Sequence, residues 1–120
     1  MKSYTDVEQS KKLDKIVPKN SYDMYLTRID NGRTYIARVG KCLAIDKNLF
    51  SYRYDLIIPC WSLAALIALL QKHIINTPNP EYEGYSCLNI ETREESFSDN
   101  PIDCCVEMII KNYEQNKERL

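Results

Sequence analysis

A chain of 120 residues, 44% of them hydrophobic, has the length of one ordinary domain and buries roughly two-thirds of its unfolded surface on folding. Sixteen Lys and Arg stand against 17 Asp and Glu, a formal net charge of -1, which lacks the basic excess that a phosphate backbone demands and disfavours general nucleic-acid binding. Five cysteines, Cys42, Cys60, Cys87, Cys104 and Cys105, are odd in number, show no CxxC spacing and sit in apolar runs, where Cys behaves as a small hydrophobe; a reducing cytoplasm fits.

The near-neutral total hides an asymmetry. Residues 1–60 carry 11 basic and 7 acidic groups, and residues 61–120 carry 5 and 10, so the halves stand at +4 and -5. Acid is densest from Glu81 to Glu107, where Arg93 is the one base, and this stretch is expected to form an acidic surface. The opening residues have no apolar core of the signal-peptide kind. Leu56 to Leu70 is 15 residues interrupted by Pro59 and Ser62, short of the ~20 that cross a bilayer, so no membrane partner is expected.

In chain order, Thr5-Asp6-Val7-Glu8 matches a capping box with Thr5 as cap, and predicts a surface helix to about Ile16 that Pro18 stops. Tyr22 to Ile29 and Arg33 to Val39 alternate around Asp30-Asn31-Gly32, the Asn-Gly step of a type I′ hairpin. Tyr35, Ala37 and Val39 fall on one face and Thr34, Ile36 and Arg38 on the other, which leaves the buried face open. Cys42 to Ile45 reads as a short strand, and Leu49 to Asp55 alternates weakly. Pro59 is read as breaking any strand. Ser62 then caps a helix to about Ile74, apolar almost all round. Thr77-Pro78-Asn79-Pro80 reads as a loop. Tyr85 to Ile90 and Glu94 to Phe97 form a second hairpin around Thr92-Arg93. A final helix starts with Asn100 as cap and Pro101 at its first position, and Ile102, Cys105, Val106, Ile109, Ile110 and Tyr113 repeat at helical spacing.

The fold class predicted is α+β over residues 1–120 as a single domain: a small antiparallel sheet packed by the two strong helices in a two-layer sandwich, plus the N-terminal surface helix.

No residue set supplies a recognisable chemistry. His73 is the one histidine, placed by this reading at the end of an apolar helix, where easing the helix dipole is its ordinary role. Cys104 and Cys105 are helix neighbours pointing about 100° apart, unsuited to sharing one metal ion. Asp99, Asp103 and Glu107 have the four-residue spacing that would suit a divalent cation, but a solvated first turn has the same pattern. Gly32, Gly40 and Gly84 are too scattered for a phosphate loop. Tyr22, Tyr25, Tyr35, Tyr52 and Tyr54 share the basic half, which raises base stacking, but without a compact Lys/Arg cluster half-buried strand packing is the preferred reading. Trp61 reads as a core anchor. No catalytic residue, metal site or cofactor is assigned.

Four blocks carry a resemblance: Thr5-Asp6-Val7-Glu8-Gln9-Ser10-Lys11-Lys12-Leu13, Tyr22-Asp23-Met24-Tyr25, Ile58 to Leu66, and Asn100 to Ile109. In this order they resemble a family of small uncharacterised proteins carried by phages and mobile elements of anaerobic gut bacteria, with T-x-E-Q-S-K-K-L, A-D-M, P-x-W-S-L-x-A-L-L and D-N-P-x-x-A-x-x-M-I as its blocks. The C-terminal half also looks like phage α/β sandwich domains. The chain departs from the pattern at Cys104 and Cys105, where alanine-like residues are commoner, and at Leu70-Gln71 in place of Leu-Pro. The resemblance brings no activity or catalytic residue. The expectation is a non-enzymatic cytoplasmic accessory protein of phage or mobile-element origin that binds a host or phage protein, with a homodimer pairing the +4 and -5 surfaces as one form of it. The alternative is a nucleic-acid-binding protein or an acidic DNA mimic.

Overall fold

The computed structural model describes residues 2–29, 34–46, 56–70, 73–79 and 84–119. Its first helix, α1 (Val7–Ile16), is capped by Asp6 and not by Thr5. The Asp6 carboxylate accepts from the Gln9 amide at 2.8 Å and the Gln9 side chain accepts from the Asp6 amide at 3.1 Å, so the expected capping box is present one residue further along. Thr5 is committed elsewhere: it is fully buried, its hydroxyl lies 2.8 Å from Ser10 Oγ, and it accepts from the Trp61 amide at 3.1 Å. The helix ends before Pro18 as predicted, the Val17 amide donating to the Leu13 carbonyl.

Strands β1 (Met24–Arg28) and β2 (Tyr35–Val39) form the predicted antiparallel pair, in register from Met24 opposite Val39 to Arg28 opposite Tyr35. The Asn31-Gly32 turn lies outside the described residues, as do Leu49 to Asp55. The face that the alternation left open is the one bearing Tyr35 and Ala37, which pack beside buried Leu26, Ile58 and Cys60 with Val7 of α1 alongside.

Cys42 to Ile45 is not a strand. Leu43–Asp46 forms a short helix, α2, with the Ile45 and Asp46 amides both donating to the Cys42 carbonyl. The cause is tertiary: the buried Tyr22 phenol donates to Asp46 Oδ1 and accepts from the Cys42 amide at 3.1 Å, tying both ends of one turn to a single oxygen. Local β preference yields to that clamp.

Pro59 sits inside a strand, β3 (Ile57–Cys60), where the sequence reading has it break one. It is accommodated because β3 is an edge: the sheet order is β2-β1-β3, and β1 pairs Met24 with Cys60 and Leu26 with Ile58. The position lacking an N–H therefore faces outward, and no ladder bond is lost.

Ser62 caps α3 (Leu63–Leu69) as predicted, accepting from the Ala65 amide at 3.3 Å, while the Asp23 carboxylate accepts from both the Ser62 amide and its hydroxyl. The helix stops well before Ile74. From His73 the backbone is strand β4 (His73–Asn79), paired antiparallel with β5 (Gly84–Asn89), which pairs with β6 (Glu95–Ser98). Thr77, Pro78 and Asn79, read as loop, thus belong to an edge strand whose register shifts between Asn76 and Asn79. The β-branched Ile74 and Ile75, opposite Leu88 and Cys87, favour the pleated backbone over another helical turn. The β5–β6 hairpin is as predicted: Asn89 Oδ1 accepts from the Glu91 and Thr92 amides, and Arg93 takes the left-handed φ of 66° that closes the turn.

The last helix, α4 (Pro101–Arg119), starts as its sequence indicates, with Asn100 Oδ1 accepting from the Asp103 amide at 2.8 Å. Ile102, Cys104, Cys105, Val106, Met108 and Ile109 are all buried. A helix so widely apolar needs cover on more than one side. It packs against β5 and β6 on one side and against α3 and α1 on another. The fold is α+β, with its strands in two small antiparallel sheets, β2-β1-β3 and β4-β5-β6, packed against helices. Among the described residues no helix is long and apolar enough to cross a membrane.

Candidate interaction surfaces

Helices α1 and α4 lie side by side, and a polar junction sets their spacing at one end. Asp103 Oδ1 accepts from Gln9 Nε2 at 2.7 Å and from Lys2 Nζ at 2.8 Å, while Oδ2 accepts from Asn100 Nδ2 at 2.7 Å. Lys2 also pairs with Asp6 at 2.9 Å. Partial burial alone would push the Asp103 carboxyl up, but the donors from Lys2, Asn100 and Gln9 outweigh it and hold the group below the usual carboxylate range. Burial likewise opposes the Lys2 charge, and its bonds to Asp103 and Asp6 overcome that and raise the ammonium.

About two turns further along both helices the packing opens into a cleft of about 340 Å³ lined by Lys12, Lys15, Ile16, Ile110, Tyr113 and Glu114. Each helix supplies an i, i+3, i+4 ridge, the spacing that places three side chains on one face. The last turn of α1, which ends before Pro18, meets the end of the apolar stripe of α4 here, and α4 itself continues to Arg119. Tyr113, one of the lining residues, is left 42% exposed. A second hollow of about 200 Å³ shares Ile16 and Tyr113 and reaches Leu69 and Leu70 at the end of α3. Among the described residues neither Lys12 nor Lys15 forms an ion pair.

The residues that the sequence singles out are dispersed. His73 is not at a helix end but opens β4, opposite Asn89. Cys104 and Cys105 are both fully buried; the Cys104 thiol donates to the Ser96 carbonyl at 3.3 Å and Ser96 Oγ donates to the Cys104 carbonyl at 2.9 Å. Of the acidic trio, Asp103 belongs to the junction, Glu107 pairs with Lys111 at 3.5 Å and Asp99 accepts from Ser98 Oγ. Among the described residues no group of three His, Cys, Asp or Glu side chains is placed to hold a metal ion. Trp61 is a core anchor, 1% exposed, its indole N–H donating to Ser21 Oγ at 3.0 Å.

Tyr22 offers no ring to a base: it is buried, and Lys41 lies 4.2 Å from its ring centre while donating to the Asn20 and Tyr22 carbonyls at 2.6 Å. Burial and the Asp46 carboxylate push its phenol up to about 12. Tyr25 and Tyr35 are half-buried, and Tyr52 and Tyr54 lie outside the described residues. What the sequence reading missed is the role of Tyr113, which it took as the end of a core stripe. No local signal marks it, because its exposure depends on where α1 lies against the end of α4.

The chain matches no family model, no curated protein and no solved structure.

The thiols give a direct check on this packing. Burial raises Cys60 and Cys104 and pushes Cys87 to about 11 and Cys105 to about 12, so the reactive thiolate is suppressed at all four. With an aromatic disulfide reagent near pH 8, the native protein is expected to release about one equivalent quickly, from half-buried Cys42, and the rest only on unfolding. Fast release of several equivalents without denaturant contradicts the burial described.

Proposed function

We propose that this chain is a small non-enzymatic cytoplasmic protein that binds a protein partner in the cleft between α1 and α4. The observation that carries the reading is Tyr113, half-exposed beside Ile16 and Ile110 in a cleft that Lys12 and Lys15 also line, neither lysine in an ion pair among the described residues. An aromatic anchor ringed by polar groups is the usual make-up of an interface hot spot. The occupant that fits is a partner segment with an apolar side chain for Tyr113 and carboxylates for the two lysines. The phage or mobile-element setting rests on the resemblance of the four sequence blocks.

The test compares the tagged wild type with Tyr113→Ala and with the Lys12→Glu, Lys15→Glu double variant in pull-downs from a lysate of the source cell. All these positions are on the rim or half-exposed, so the melting temperature should change little. The expected result is a protein retained by the wild type and lost by both variants, a loss of roughly tenfold or more in affinity when measured with the purified partner. Equal retention by both variants overturns the cleft as the site, and so does a wild type that retains nothing the variants lose.

A further inference from the structure

The two sheets present four outer edges, and three of them carry a blocking device. On β3 the outward position at Pro59 has no N–H, and beyond it the Thr5 amide donates to the Trp61 carbonyl at 3.0 Å while the Trp61 amide donates back to Thr5 Oγ1 at 3.1 Å. On β4 the strand carries Pro78 where its register shifts. On β6 the Glu95 carbonyl, which faces away from β5, is capped by Lys111 Nζ at 2.7 Å. Prolines, register breaks and capped carbonyls are how edge strands are kept from pairing with other chains.

At Ala37 and Val39 the outer edge of β2 has none of these among the described residues. Its register against β1 is unbroken over five residues, it contains no proline, and no described strand lies beyond it. Bonds from the Ile29 amide to the Thr34 carbonyl and from the Gly40 amide to the Asp23 carbonyl bracket the ladder. The alternation of antiparallel pairs then points the N–H and C=O of Ala37 and Val39 away from β1. Val39 is 85% exposed and Ile36 is 42% exposed. Between them stands Arg38, also exposed, whose Nε donates to Thr27 Oγ1 at 3.3 Å and whose guanidinium has no carboxylate partner among the described residues.

We infer that the β2 edge accepts an extended acidic segment of a partner protein as an added strand, bonded to the outward backbone groups of Ala37 and Val39. Strand addition draws its affinity from main-chain bonds and its selectivity from alternate side chains. Apolar residues of the incoming strand would lie beside Ala37 and Val39, and its carboxylates beside Arg38 on the opposite face. The half of the chain that carries β2 stands at +4, which favours an acidic segment over a second copy of this basic half. This edge is a surface separate from the α1–α4 cleft, and neither reading depends on the other.

The probe is a synthetic nine-residue peptide alternating valine and glutamate, with a valine–lysine peptide of the same length as its control. Binding is followed by calorimetry and by hydrogen exchange of the whole protein. The expected result is binding of the acidic peptide with slowed exchange at the Ala37 and Val39 amides. Val39→Pro, which removes one outward donor at an exposed position, should weaken binding about tenfold or more, and Arg38→Glu should weaken it and turn the preference to the lysine peptide. Unchanged melting temperatures separate these effects from misfolding. Absence of binding by the acidic peptide, binding without protection in β2, or indifference to both substitutions overturns the inference. A wild type that sediments as a dimer and becomes monomeric on Val39→Pro assigns the edge to a second copy and overturns the acidic partner.

Discussion

Trp61→Ala is expected to cost about 3–5 kcal/mol of folding stability, the range for truncating a fully buried aromatic. Trp61 is 1% exposed and joins the core formed by α3 and α4. It sits at the junction of β3 and α3, so its removal opens a cavity where a strand turns into a helix, a place with little room to collapse. The change also strips Ser21 Oγ of its indole donor. A domain of this size has roughly 5–15 kcal/mol in hand, so the variant should lose a large share of its stability. Guanidinium unfolding followed by circular dichroism measures it, since this is the one tryptophan and its fluorescence goes with it. Trp61→Phe keeps most of the volume and should lose much less. A loss below about 1 kcal/mol for the alanine variant would contradict the packing described.

The second large effect belongs to a hydroxyl. Thr5→Val preserves shape and burial but removes an oxygen that lies 2.8 Å from Ser10 Oγ and accepts from the Trp61 amide at 3.1 Å. Thr5 and Ser10 are both fully buried, so water cannot replace the missing bond. A buried donor left without a partner costs about 1–3 kcal/mol. Thr5→Ser retains the oxygen and should fall nearer to the wild type. The two variants separate bond from bulk: if valine is tolerated and serine is not, the methyl matters and the hydroxyl does not. Hydrogen exchange at the Trp61 amide should quicken in Thr5→Val, because that amide is the orphaned donor.

The elements legible in the sequence are those whose signals are local. Asn100 with Pro101, Ser62 before Leu63 and the alternating run around Asn31-Gly32 each fix a helix start or a strand pair with residues a few positions apart. The failures have distant causes. Thr5 gives its capping role to Asp6 because β3 brings Trp61 against it, and Cys42 to Asp46 winds into a turn because Tyr22 reaches it from twenty positions upstream. Pro59 and Pro78 look like strand breakers only until the sheet order makes both strands edges. The cleft was half legible: most of its residues lie on the apolar and basic stripes of α1 and α4, but which of them meet shows only once the two helices are set side by side.

The junction at Asp103 also has a bearing on time. Lys2 and Gln9 find their partner 101 and 94 positions later in the chain, and Thr5 finds its own, Trp61, 56 positions later. At ribosomal speeds of 5–20 residues per second, α1 waits roughly five to twenty seconds for the helix it leans against. Contacts spanning so much of the sequence slow folding, because loop closure precedes any gain from the contact. During that interval the half bearing β2, with its unblocked edge, is present without the half that completes the fold. The nascent chain is therefore most open to strand pairing with other chains before α4 has been synthesised, and a chaperone or a partner that occupies β2 early would act on assembly and not only on the finished protein.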